Sequence, residues 1–183
     1  MQQYHAVAAP VKGRIAASAP TWRPSCISWP EAVVCNHGVA HEHGSHREDH
    51  RTQGPDRARL ESRATGLNGQ VEFAGRVDDE RLADLYARCL AVYYAPIDED
   101  FGMVPYEAFL SEKPVITTND SGGPLEIVRD HETGLVVDPN PGPIATACAE
   151  LARNVDEAKA WGQAGKAIAE RVTWDACISA LLS

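Results

Sequence analysis

The sequence predicts an α/β protein organised on a doubly wound parallel sheet. Three observations predict it. From Gly54 onward, short apolar runs alternate with stretches of helical periodicity, in the order strand, helix, strand, helix. The runs Leu90-Ala-Val-Tyr-Tyr-Ala95 and Pro114-Val-Ile-Thr-Thr118 are β-branched or aromatic and bounded by polar residues or Pro, the pattern of buried strands. The joints carry Asp, Thr or Pro where helices begin.

Taken in order, Asp56 to Leu67 reads as a helix capped by Asp56, and Val71-Glu-Phe-Ala74 as a short strand. Gly75-Arg-Val-Asp78 is a turn that caps a helix from Asp79 to Cys89, with Leu82, Leu85 and Tyr86 on one side. The strand at 90–95 leads through an acidic loop to a helix at 103–112, where Pro105 sits in the first turn. The strand at 114–118 leads through Asn119-Asp-Ser-Gly-Gly-Pro124 to a second helix start. Thr133–Val137 is a further strand, followed by helices at 143–153, 156–172 and from the Thr173 cap to Leu182. Ala158, Trp161, Ala164 and Ile168 form one apolar stripe, and both Trp161 and Trp174 read as core or helix-docking residues. His131 reads as a surface loop residue.

Residues 1–52 differ, and a boundary at residue 53 separates this irregular, Pro/His-rich segment from the α/β unit of residues 53–183. Ile27-Ser-Trp29 and Ala32-Val-Val-Cys35 have the composition of short strands; otherwise the segment reads as disordered or incomplete. Five of the seven histidines fall within Cys35–His50. Three readings stay open there: a zinc site, because imidazole and thiolate are good ligands; a polar tract that picks up metal adventitiously; or a segment foreign to the fold. The spacing matches no tetrahedral ligand pattern.

Net charge is −9, from 26 acidic and 17 basic residues, which argues against nucleic acid and anionic membranes as main partners. No apolar run reaches the roughly 18 residues of a membrane helix, and the N-terminus lacks the pattern of a signal peptide. The five cysteines are odd in number and show no C-x-x-C spacing, which suits reduced thiols in a cytoplasmic protein.

The chemistry concentrates in Asp98-Glu-Asp-Phe-Gly-Met-Val-Pro-Tyr-Glu107. In an open parallel sheet, ligands bind beyond the carboxyl ends of the strands, and this loop lies there. Glu99 on the loop and Glu107 on the helix can face one pocket and accept hydrogen bonds from vicinal hydroxyls. Backbone N–H groups of Phe101, Gly102 and Met103 lie at a helix start, where they are available to a polar ligand. Gly122 and Gly123 permit a tight turn without side chains, ahead of a second helix N-terminus suited to phosphates.

Four ordered segments then make a resemblance specific: Glu99-Asp-Phe-Gly-Met-Val-Pro-Tyr-Glu107-Ala-Phe, Lys113-Pro-Val-Ile, Gly122-Gly-Pro-Leu-Glu126-Ile-Val and Glu132-Thr-Gly-Leu-Val-Val. Together they resemble the donor-binding, C-terminal domain of retaining glycosyltransferases of the GT-B fold, the group 1 family with a Glu-x7-Glu signature that Glu99 and Glu107 satisfy. The resemblance implies that Glu99 contacts hydroxyls of the transferred sugar, in the catalytic position. It implies that the backbone of Phe101, Gly102 and Met103 orients the sugar and that Glu107 binds the ribose. It implies further that Gly122 and Gly123 line the sugar and diphosphate pocket and that Val77 packs the nucleobase. It also implies a UDP- or GDP-linked hexose of the mannose or glucose class as donor, no metal cofactor, retention at the anomeric carbon, and a last helix that crosses to a partner domain.

The family pattern also contains a basic pair for the diphosphate and a first domain holding the acceptor site. Lys12-Gly13-Arg14 lies in a context that does not match that pair, and nothing here resembles the first domain. Two functions therefore stand from the sequence: the donor half of a glycosyltransferase that needs an acceptor domain for turnover, or a truncated, non-catalytic nucleotide-sugar-binding or structural domain.

Overall fold

A computed structural model of the chain describes residues 5–10, 32–36, 57–65 and 71–183. The strands are β1 (His5–Pro10), β2 (Ala32–Asn36), β3 (Glu72–Arg76), β4 (Cys89–Tyr93), β5 (Val115–Thr118) and β6 (Gly134–Val137). The helices are α1 (Arg57–Ala64), α2 (Asp79–Arg88), α3 (Val104–Leu110), α4 (Pro141–Arg153), α5 (Val155–Ala169) and α6 (Trp174–Leu181).

The six strands form one sheet in the order β3-β1-β2-β4-β5-β6. Strands β2, β4, β5 and β6 pair in parallel, with Tyr93 opposite Ile116 and Thr118 opposite Val137. Strand β1 is antiparallel to both β2 and β3, so the parallel sheet is extended on one side by an antiparallel insertion.

Helices cover both faces, and side chains alternate between them along β4 and β5. Val92, Tyr94 and Val115 enter one core with Leu85, Tyr86, Val104 and Phe109. Ala91, Ile116 and Leu135 enter the other with Leu151, Ala158 and Trp161. All four residues of β5 are therefore buried, which is why the run shows no polar alternation. Each fully buried Val or Ile here contributes about 1.5–3 kcal/mol by leaving water.

Helix starts follow the capping chemistry. The Asp78 carboxylate accepts from the Arg81 amide at 2.8 Å, and Asp79 and Glu80 place negative charge in the first turn of α2. The Thr173 hydroxyl accepts from the Ala176 amide at 3.1 Å and starts α6.

The structure corrects three expectations. The segment before residue 53 supplies two strands: β2 coincides with the expected Ala32–Cys35, whereas β1 is additional. The helix expected after Gly122-Gly123 is a single 3-10 turn, Gly123–Glu126, so no second helix N-terminus exists there. Trp161 is buried, but Trp174 is 85% exposed and α6 buries none of its residues. The strand expected at Ile27–Trp29, the Asp56 cap, Lys12-Gly13-Arg14 and the histidines from His37 to His50 lie outside the described residues.

Candidate functional site

Strands β4 and β5 are parallel neighbours, so the loops that leave their carboxyl ends meet. The loop from Tyr94 to Met103 follows β4, and the turn from Asn119 to Gly122 follows β5. Their main chains join. The Asp98 amide donates to the Asp120 carbonyl at 2.9 Å, the Glu99 amide to the Ser121 carbonyl at 3.1 Å, and the Gly123 amide to the Glu99 carbonyl at 2.6 Å. Glu99 and Gly122 thereby form a parallel bridge beyond the ends of the strands.

The glycines are required by this join. Gly122 has φ +73°, and a Cβ there would stand 2.6 Å from the Glu99 carbonyl oxygen. At Gly123 a Cβ would stand 2.5 Å from the Asp100 carbonyl oxygen.

Beneath the turn lies a buried hydroxyl cluster that periodicity alone does not reveal. The Thr117 hydroxyl donates to Ser121 Oγ at 2.8 Å, the Thr118 amide donates to the same atom at 3.2 Å, and the Thr118 and Ser121 hydroxyls lie 2.9 Å apart. All three residues are buried. Each buried hydroxyl is satisfied within the cluster, which holds the turn that carries Gly122.

Glu107 lies on α3. Its Oε2 accepts a hydrogen bond from the Tyr86 hydroxyl at 3.1 Å. The hydroxyl of Tyr94 feels the charges of both Glu99 and Glu107. Burial first, then the neighbouring Glu99 carboxylate and the more weakly acting Glu107 charge, push Tyr94 up to about 12. One buried phenol thus reports on both carboxylates. Phe101, 47% exposed, stacks on Tyr106 with ring centroids 5.0 Å apart and fixes the loop against α3. Burial, then the nearby Glu126 carboxylate, raises the Tyr106 phenol.

The expected site residues are accordingly placed as follows. Glu99, Gly102, Gly122 and Gly123 meet at the loop join; Gly102 has φ +70° and faces Pro124 and the Tyr94 ring. Phe101 and Met103 are exposed just ahead of α3, and Glu107 lies one turn into it. Val77, between β3 and α2, packs on the core that holds Tyr86 and Tyr94 and is linked to the loops through that core. Tyr86, Tyr94 and Ser121 were missed; a tyrosine or serine at a fully buried position, whose hydroxyl must find a partner, was the available signal.

The α3 helix has only seven residues, and among the described residues no side chain caps its first turn. Among the described residues no three His, Cys, Asp or Glu side chains converge as metal ligands. A cavity of about 280 Å³ lies at the opposite, amino ends of β4 and β5, lined by residues that include Arg88, Glu112, Lys113 and Lys159, and shares no residue with this site. No helix among the described residues is long and apolar enough to cross a membrane.

The chain superposes on sucrose-phosphate synthase from Thermosynechococcus elongatus with a TM-score of 0.62 and 29% identity, over 74% of this chain and 35% of that one. It superposes on Anabaena HepE, solved in complex with UDP, with a TM-score of 0.58 and 28% identity, over 68% of this chain and 36% of that one. A sheet covered on both faces, with joined loops at its carboxyl edge and these neighbours, defines the class: the C-terminal, Rossmann-like domain of a GT-B fold.

The chain belongs to the glycosyl transferases group 1 family, which it matches over residues 43–168. Among curated relatives, alpha-1,3/1,6-mannosyltransferase ALG2 from Mus musculus is 36% identical over 111 residues, 60% of this chain and 26% of the relative. Sucrose synthase from Acidithiobacillus caldus is 35% identical over 123 residues, 60% of this chain and 15% of the relative. The match thus spans about a quarter or less of the length of these relatives.

Proposed function

We propose that the chain is the donor-binding domain of a retaining glycosyltransferase that moves a hexose of the mannose or glucose class from a nucleoside diphosphate to an acceptor hydroxyl. The observation that carries this reading is the join of the two loops, the Gly123 amide on the Glu99 carbonyl, with the charges of Glu99 and Glu107 both felt at the buried Tyr94. In this reading Glu99 accepts hydrogen bonds from hydroxyls of the transferred sugar, and the backbone of Phe101, Gly102 and Met103 holds the ring in place. Glu107 accepts from the ribose, Gly122 and Gly123 let the diphosphate approach the main chain, and Val77 meets the base. The mannosyltransferase relative supports a mannose-type donor, and the neighbours solved with UDP and UDP-glucose support a uridine nucleotide and glucose.

The chemistry asks for positioning and for stabilisation of charge on the leaving diphosphate, without a metal. The start of α3 offers partial positive charge, about 0.3–1 kcal/mol at an exposed site. Asp98, Glu99, Asp100 and Asp120 make the loops themselves acidic, so full counter-charge comes from cations outside them. The acceptor is held by a partner domain, and front-face attack passes the acceptor proton toward the departing phosphate.

Calorimetric titration with UDP, GDP, UDP-glucose and GDP-mannose tests the reading, with Glu107→Ala as control. Saturable binding that the control weakens supports it; absence of binding to all four overturns it. Turnover assayed with this chain alone then separates an autonomous enzyme from a donor half, and little or none is expected.

A further inference from the structure

We propose that Tyr86 is the positioning residue for Glu107, and that through this contact the site distinguishes ribose from 2′-deoxyribose in its nucleotide. The inference rests on the donor-site reading above and extends it to a residue outside the two loops.

Tyr86 lies on α2 and is 3% exposed, packed in the core with Leu85, Val92, Val104 and Phe109. Its hydroxyl meets Glu107 Oε2 at 3.1 Å across 21 residues of sequence. An ionised carboxylate only accepts, so the proton runs from tyrosine to glutamate. The ring cannot swing without opening the core, whereas the last torsion of a glutamate is broad and roughly two-fold. The phenol therefore fixes the plane of the carboxylate from below. A vicinal diol is read by the direction of the acceptor lone pairs, so holding that plane favours two ribose hydroxyls over one. The contact is long for an O–H···O⁻ bond, which makes its effect one of orientation rather than of strength. Tyr94 is a second buried phenol that feels the Glu107 charge.

The test compares UDP and GDP with their 2′-deoxy counterparts by calorimetry, on the full chain, for the wild type, Tyr86→Phe and Glu107→Gln. The wild type is expected to favour the ribose form of its preferred nucleotide by about tenfold or more, and Tyr86→Phe to reduce that preference to about threefold or less. The loss falls on the ribose form alone, with the deoxy form bound as before, which a merely structural role of the ring would not produce. Glu107→Gln reduces the same ratio. If Glu107→Gln removes the preference and Tyr86→Phe does not, or if Tyr86→Phe weakens both forms equally, the inference is overturned and the donor site stands. If the wild type binds neither nucleotide, the donor reading falls, and the inference with it. Should Tyr86→Phe not fold, the crystal structure of the wild-type nucleotide complex decides. The Tyr86 hydroxyl must still touch Glu107 while Glu107 touches the ribose; a Glu107 turned away from Tyr86 overturns the inference.

Discussion

Gly122 and Glu99 are locked together through the main chain: the carbonyl oxygen of Glu99 occupies the space where a side chain on residue 122 would begin, 2.6 Å from the position of its Cβ. Gly122→Ala therefore meets two penalties. A positive φ of 73° with ψ −128° costs an L-residue about 1–3 kcal/mol, and the contact with Glu99 forces the loops apart. The variant is expected to melt lower and to lose nucleotide binding by tenfold or more, roughly. Differential scanning calorimetry and titration check the two effects separately.

The two glutamates are expected to separate by ligand. On the proposed donor reading, Glu107→Ala weakens UDP or GDP itself, by an amount on the order of 1.5–3 kcal/mol for a hydrogen bond to a charged group. Glu99→Ala leaves the nucleoside diphosphate nearly unchanged and weakens only the sugar-bearing donor. Titrations of each variant with the nucleotide and with its sugar conjugate measure this split, and equal losses on both ligands contradict the division of roles.

Ser121 offers a test of stability apart from ligand contact. Its hydroxyl is fully buried and meets Thr117, the Thr118 amide and the Thr118 hydroxyl. Ser121→Ala leaves those groups short of a partner and is expected to cost about 1–3 kcal/mol. Denaturant unfolding measures it. Retained affinity in the folded variant fits a supporting role; a loss of affinity without a loss of stability contradicts it.

Most of this architecture was legible in the sequence, for identifiable reasons. β4 and β5 are buried on both faces, so Leu90–Ala95 and Pro114–Thr118 are apolar without alternation, and Asp78 and Thr173 mark helix starts that the structure keeps. β1 was not legible, because His-Ala-Val-Ala-Ala-Pro is short, small and ended by proline, and its antiparallel pairing depends on partners 22 or more residues away. The turn at Gly123–Glu126 resembled a helix start because Pro124 suits both; the chain leaves helical geometry at Ile127, one turn later. At the site, Glu99 and Glu107 were visible as charges, while Tyr86 and Tyr94 were read as apolar core. Periodicity counts their rings and ignores their hydroxyls.

Titration of Tyr94 gives a prediction with a definite sign. Its ordinary value is 10.0 and in the fold it is raised to about 12, by burial first and then by Glu99 and Glu107. Above pH 10 the unfolded chain loses this proton while the folded chain keeps it. The stabilisation is therefore complete below pH 10 and declines as pH rises towards 12. In a spectrophotometric titration of the folded chain, Tyr94→Phe is expected to remove one late phenolate step near 12 and to leave the earlier ones in place. Glu99→Gln is expected to shift that step downward only in part, since burial is the largest cause and remains.

The last helix tests where the stability of the domain ends. Trp174, Leu181 and Leu182 are each more than four-fifths exposed, and α6 buries none of its residues. Substituting Trp174→Ser or Leu181→Ser removes apolar surface from water rather than from a core. Each is expected to change the stability of this chain by no more than about 0.5 kcal/mol, the range of surface substitutions. Trp161→Ala is the contrast, because that ring is buried in the core with Leu151 and Ala158 and its loss is expected to cost about 3–5 kcal/mol. Thermal unfolding of the three variants decides the point. A fall for Trp174→Ser comparable to that for Trp161→Ala would mean that α6 docks against the domain in solution and that its apolar side is covered.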